Sequence, residues 1–283
     1  MSFARHGSGV VADGRALLSQ VHPVFMLPPI AASWFGSVLA GEFDVALGVL
    51  HGTAIFLAVY TAHVKDGYVD FYVRDEDDDH PLSELGCRLA LGLSSAGFLA
   101  CLVALWRTVG PVAAAVTLPT WLIAYHHAPQ LDTNPLTATT GYPLGIAIAI
   151  VGGYYVQAGS FAAVPLAFAV VFLVLLSGIK VVDDAQDYEY DRSIEKETVA
   201  VVLGRERART VAFGLMAVGL LAVLGFVAGG VFPLSAALAV LVFLPVAAVA
   251  RRGTDELATM LLVRGSYLFL AVLLVAVYYE PLS

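Results

Sequence analysis

Charge is scarce in this 283-residue chain: 13% of residues are charged against 59% hydrophobic, and the mean hydropathy is +0.82. That composition excludes a water-soluble globular domain, which has no use for so much apolar surface. Cysteine is scarcer still, and Cys87 and Cys101 alone cannot build a disulfide framework, so both are expected as small core residues. Positive charge is the minority sign, with 15 Lys and Arg against 23 Asp and Glu; the net charge of −8 excludes a nucleic-acid binder. Lysine itself occurs at only three positions (65, 180 and 196), and an acidic, Lys-poor surface suggests a salt-rich cytoplasm. No apolar h-region with a small-residue cleavage site precedes the first long segment, so a cleaved signal peptide is not expected.

What the chain has instead is apolar runs of membrane-spanning length. Nine candidate spans lie at roughly 22–41, 44–64, 87–106, 109–126, 140–158, 162–182, 208–228, 232–250 and 259–279. The expected fold is all-α and polytopic, with nine transmembrane helices. Residues 1–20 form an N-terminal segment and 21–283 a single domain. With the N-terminal face called face one, 14 of the 15 basic residues fall on it and only Arg107 on the other. A missed or invented span would scatter the downstream basic residues over both faces. Face one is therefore read as cytoplasmic, in the cell membrane. The connections at 65–86, 127–139 and 183–207 on that face are long, whereas the opposite ones are a few residues each, so any active site is expected to open to the cytoplasm.

Two of those long connections carry acidic residues at helical spacing. The second span runs into Lys65-Asp66-Gly67-Tyr68-Val69-Asp70-Phe71-Tyr72-Val73-Arg74, and the sixth into Lys180-Val181-Val182-Asp183-Asp184-Ala185-Gln186-Asp187-Tyr188-Glu189-Tyr190-Asp191-Arg192. Side chains four apart share a helix face, so Asp66 and Asp70 form one stripe and Asp183, Asp187 and Asp191 another, with Asp184 alongside. Each stripe follows a basic residue and precedes a similar re-entry into the membrane, at 81–90 and 199–208, which reads as an internal repeat. Like charges at that spacing repel, more strongly near a bilayer, and call for a cation. Mg²⁺ suits them, because it binds through one or two carboxylates and completes its shell with water and phosphate. Two stripes could each hold one Mg²⁺ and share a diphosphate, with Lys65, Arg74, Lys180, Arg192 and Lys196 adding positive charge. The run Asp75-Glu76-Asp77-Asp78-Asp79 has no helical spacing and is read as a solvated loop. His126-His127 lacks a third metal ligand and is read as structural.

These residues resemble the UbiA superfamily of intramembrane prenyltransferases. The stretch Asp183 to Arg192, continuing through Lys196, Thr198 and Leu203-Gly204, is similar to the family's second Asp-x-x-x-Asp motif. The first motif departs from the pattern: Asp66 stands where Asn is usual, Gly67 where Asp or Thr is usual, and Arg74 where a third Asp often sits. Tyr125-His126-His127-Ala128-Pro129 and the Gly152 to Gly159 stretch are also similar, but the basic residue common after the Tyr125 turn is replaced by Leu131-Asp132. That replacement points to an acceptor without a strong anionic group near the turn.

The resemblance covers about residues 20–280. It implies nine helices around a central cavity and Mg²⁺-dependent transfer of an isoprenoid from a polyprenyl diphosphate to a lipophilic acceptor. That acceptor would be a quinone precursor, an isoprenoid glycerol ether lipid or a carotenoid. It implies that Asp66, Asp70, Asp183, Asp184, Asp187 and Asp191 are catalytic and hold two Mg²⁺ ions, and that Tyr68, Tyr125 and Tyr188 bind substrate. The other reading is an ion-coupled transporter, whose coupling acids should lie near the bilayer midplane.

Overall fold

In a computed structural model, residues 2–194 and 196–280 are described, and all regular structure among them is helical. A short helix, α1 (Val10–Leu18), precedes the apolar ones: α2 (Pro23–Leu39), α3 (Val45–Tyr68), α4 (Glu84–Thr108), α5 (Pro111–Tyr125) and α6 (Pro135–Ala158). They are followed by α7 (Ala163–Gln186), the short α8 (Tyr188–Ser193) and α9 (Val199–Leu203), then α10 (Arg205–Ala228), α11 (Ala237–Arg252) and α12 (Asp255–Tyr279). Each apolar run of the sequence thus coincides with a helix. Seven are long and apolar enough to cross a membrane, α11 together with its leading 3₁₀ turn Leu234–Ala236, while α2 and α5 are shorter apolar helices of 17 and 15 residues. Leu93, Leu221 and Leu241 are each 63–64% exposed on such helices, a cost in water and no cost in lipid.

The helices begin where the sequence supplies oxygen acceptors. Asp44 Oδ1 accepts from the backbone N–H groups of Ala46 and Leu47, Ser83 Oγ from Gly86 and Thr254 Oγ1 from Leu257, which fixes the starts of α3, α4 and α12. At each acidic motif the helix runs beyond its apolar run. The chain continues from α3 into a wide π-turn, Val69–Val73, and α7 continues to Gln186.

The chain divides into two compact units. The first comprises residues up to Asp132 together with Ile148–Ser160. In it α3 is central, packing on α2, α4 and α5 through Ala54, Ala58, Phe98, Leu102 and Ala124. The last part of α6 lies so close to α2 that a Cβ on Gly36 would overlap the Ile150 carbonyl, and one on Gly153 the Ser33 carbonyl. Inside this apolar packing, polar side chains bond to each other: Ser33 Oγ to His51 Nδ1 at 2.7 Å, and Thr61 Oγ1 to Ser94 Oγ at 2.8 Å.

The N-terminal segment does not stand apart. Phe3 and Arg5 exchange backbone hydrogen bonds with Ser83 and Pro81, and the Tyr60 hydroxyl donates to the Leu17 carbonyl at the end of α1.

The second unit comprises Thr133–Ala147 and the chain from Phe161 onward. Here α7 packs on α10 and α12, and α11 on α12, around Phe168, Phe172, Phe243 and Phe269. Arg209 of α10 binds the α11–α12 turn, donating to the carbonyls of Ala250, Arg251 and Gly253 and to Asp255. Those carbonyls at and just beyond the end of α11 gain a charged donor.

Candidate active site

The first acidic motif sits where α3 passes into the π-turn. Asp66 is on the last turn of α3 and Asp70 in the π-turn. Lys65 lies with its ammonium 5.1 Å from the centre of the Tyr125 ring, a cation–π pair that joins the end of α3 to the end of α5. Tyr68 packs beside Tyr72, ring centres 5.6 Å apart, and against the buried cluster of Val64, Leu82 and Cys87.

Arg74 is surrounded by carboxylates. It donates two hydrogen bonds to Asp132, at 2.8 and 3.0 Å, and lies 3.6 Å from Asp70 Oδ1 and 3.5 Å from Glu76 Oε1. The Asp132 bonds, more than the other carboxylates, hold its guanidinium pKa above the usual value. The chain reaches this arrangement by reversing at Asp75, whose φ of 57° is left-handed, so that the Glu76 N–H bonds to the Asp70 carbonyl at 2.8 Å. Arg74, expected at a diphosphate, is therefore bonded to carboxylates of its own chain.

The acidic run after Arg74 is not the uniform solvated loop expected of it. The Glu76 side chain is 2% exposed against Arg74, and Asp79 bonds His6 at 2.8 Å and Arg5 at 3.1 Å. The His6 bond comes first among the causes that hold the Asp79 carboxyl below its ordinary range. Asp75, Asp77, Asp78 and Asp79 are exposed, and Glu76 alone of the run is drawn in. Spacing alone cannot show this, because the partners are a turn reversal and a segment more than 70 residues away.

The second motif occupies the end of α7 and the short α8. Lys180 Nζ donates to Asp184 Oδ1 at 2.5 Å and to Asp183 Oδ2 at 3.2 Å. The other Asp184 oxygen, Oδ2, is buried with no hydrogen-bond partner. Asp187 breaks the helix, at φ −91° and ψ 13°, yet its carbonyl still accepts the Asp191 N–H at 2.8 Å. The stripe Asp183, Asp187, Asp191 is therefore two helical pieces across a kink, not one straight helix. Asp191 is buried, and burial first, then the Asp184 charge, pushes its carboxyl up to about 6 against the opposing pull of Lys196 and Lys180. Lys196 lies 5.9 Å from the Tyr190 ring centre, Arg205 lies 5.2 Å from that of Tyr188, and Arg192 is exposed.

The re-entries differ as well. Ser83 leads directly into α4, whereas 199–208 makes the short α9, turns at Gly204 with φ 79°, and only then enters α10.

Among the described residues no group of three or more His, Cys, Asp or Glu side chains is arranged to hold a metal ion by itself. That is compatible with Mg²⁺, which needs one or two carboxylates and takes the rest of its shell from water and phosphate. The second motif fits such an ion, because the buried, unpartnered Asp184 Oδ2 is an acceptor that a cation would satisfy.

The profile of the UbiA prenyltransferase family matches residues 26–273. The chain belongs to that family. It is 31% identical over 233 residues to a 1,4-dihydroxy-2-naphthoate octaprenyltransferase of Mycobacterium tuberculosis, covering 77% of this chain and 76% of the relative. Among solved structures, a digeranylgeranylglyceryl phosphate synthase superposes with a TM-score of 0.73 at 12% identity, over 94% of this chain and 97% of that one. A UbiA homologue from Archaeoglobus fulgidus bound to GPP and Mg²⁺ superposes with a TM-score of 0.68 at 18% identity, over 93% and 99%. At such identities the structural likeness establishes the fold, a polytopic helical membrane protein. The family establishes that this UbiA member is a prenyltransferase, and the transporter reading is set aside.

Proposed function

We propose that this UbiA-family enzyme transfers an isoprenoid chain from a polyprenyl diphosphate to a quinone-ring precursor, using Mg²⁺ held by its two acidic motifs at the cytoplasmic face of the cell membrane. The observation that carries the proposal is Asp184. A buried carboxylate, half bonded to Lys180 and half without a partner, sits at the end of a membrane helix, where it is costly unless a cation completes it. Asp183, Asp187 and Asp191 share that role in the second motif, and Asp66 and Asp70 hold a second ion in the first. The 14:1 distribution of basic residues supports the cytoplasmic orientation.

When bound, Mg²⁺ supplies neutralisation of the charge that develops on the departing diphosphate. The chain's own part is electrostatic and positional. Lys180 and Lys196 bring positive charge beside the second motif, Lys65 beside the first, and Arg192 at the exposed rim. The ammonium of Lys65 over Tyr125 places a cation near the turn from which the sequence pattern had removed one. Against the expectation of an acceptor without an anionic group at that turn we set Lys65, a cation that such a group could meet. A carboxylated aromatic acceptor is compatible with the site, in line with the naphthoate relative. The apolar helices limit water near the motifs, and so protect an allylic cation from capture as an alcohol.

The test is transfer from a radiolabelled polyprenyl diphosphate by purified protein to a dihydroxynaphthoate, an isoprenoid glycerol ether lipid and a carotenoid offered separately. Mg²⁺-dependent labelling of the naphthoate supports the proposal. Labelling of only the ether lipid or the carotenoid would overturn the acceptor, and transfer undiminished by EDTA would overturn the metal.

A further inference from the structure

We propose that the Arg74–Asp132 ion pair is a positioning device for the first acidic motif, and that Arg74 is not itself a ligand of the diphosphate. The inference rests on the reading above that Asp70 serves the donor and its Mg²⁺.

Two turns flank this part of the site, the wide helical turn Val69–Val73 after α3 and the kinked segment His127–Leu131 after α5, in which Ala128 is extended. Arg74 is the residue that ends the first, and Asp132 the residue that ends the second. The guanidinium meets the carboxylate in the two-bond fork, at 2.8 and 3.0 Å, with side chains only 16% and 9% exposed. The planar fork fixes both distance and orientation, which a lysine ammonium cannot do. Arg74 also faces Asp70 and Glu76, so one cation balances three carboxylates. Two of its nitrogens are taken by Asp132, and withdrawing it to meet a diphosphate would leave Asp70, Glu76 and Asp132 to repel one another at low exposure. What Arg74 gives the reaction is the fixed place of Asp70, one helical turn before it, and a fixed spacing between the ends of α3 and α5, where Lys65 meets Tyr125.

The experiment is a double-mutant cycle on purified protein with Arg74→Gln, Asp132→Asn, the double variant and Arg74→Lys. Prenyl transfer, the donor KM and amide hydrogen exchange over 69–76 and 126–132 are followed. A positioning pair predicts that each neutral variant lowers kcat by about 10²-fold, the scale of a small misplacement of catalytic groups, with little change in donor KM. Exchange should quicken in both segments when either partner is changed, and the double variant should be no worse than the single ones. Arg74→Lys, which keeps the charge but loses the fork, should lose activity to an intermediate degree, and it decides the matter if the neutral variants fail to fold.

If Arg74 instead binds the diphosphate, Asp132→Asn would free it. The donor KM would then fall or stay the same at undiminished kcat, and the Arg74 variants alone would raise it. That result, multiplication of the single losses in the double variant, or wild-type turnover by Arg74→Lys overturns the inference. Asp70→Ala run in parallel separates the two readings: loss there with intact pair variants defeats the positioning role alone, while full activity there defeats the role of the first motif.

Discussion

Replacing Asp184 by Asn keeps the size and shape of the side chain and removes its charge. Two consequences follow from its surroundings, and they differ in what they disturb. Lys180 loses the negative charge of its 2.5 Å partner, whose amide oxygen can still accept, so one charge-assisted hydrogen bond, worth about 1.5–3 kcal/mol, is weakened while the 3.2 Å contact with Asp183 remains. The unpartnered Oδ2 position becomes an amide or a neutral carbonyl, neither of which attracts a cation as a carboxylate does. Loss of a preorganised electrostatic contact of this kind lowers turnover by about 10²–10³.

Stability should fall by no more than that bond's share, because the packing of α7 against α10 and α12 is left untouched. Prenyl transfer from radiolabelled diphosphate at saturating Mg²⁺, beside thermal unfolding in detergent, reads both effects. Turnover close to wild type in a folded Asp184→Asn protein would refute the reasoning that the buried oxygen awaits a cation.

Asp70→Ala is expected to lose about 10²–10³ in rate, and Asp77→Ala, whose side chain is exposed, to lose little; equal effects would mean that the motif has no special role. Gly153→Ala should destabilise the protein by about 1–3 kcal/mol, since its Cβ meets the Ser33 carbonyl, and an unchanged unfolding temperature would contradict that packing. In intact cells a cysteine at the exposed Asp78 should be protected from an impermeant thiol reagent and one at the exposed Ser160 should label; the reverse pattern would invert the orientation.

The parts of this protein that were legible from sequence are those imposed by the solvent. In lipid each backbone group must be satisfied within its own helix, so apolar runs and helices have to coincide, and they do from α2 to α12. Composition stops being informative at the water-facing ends, where helical spacing holds only in part. Asp66 lies on α3, but Asp70 falls in a π-turn, and Asp187 kinks the second stripe between α7 and α8. Nor does spacing report which charges meet across the chain. Arg74 and Asp132 are 58 positions apart, and each taken alone reads as a departure from the family's motif.

Taken together the two departures are complementary, an arginine where an acid is usual and an acid where a base is usual. The bidentate contact joins the two as one ion pair. On the positioning role proposed above, that pair would hold the first motif in place. Asp132, a charge that would repel Asp70, is bound to the same guanidinium that faces Asp70. Reading such a site therefore requires asking of every atypical charge what lies opposite it in the fold, before assigning it to a substrate.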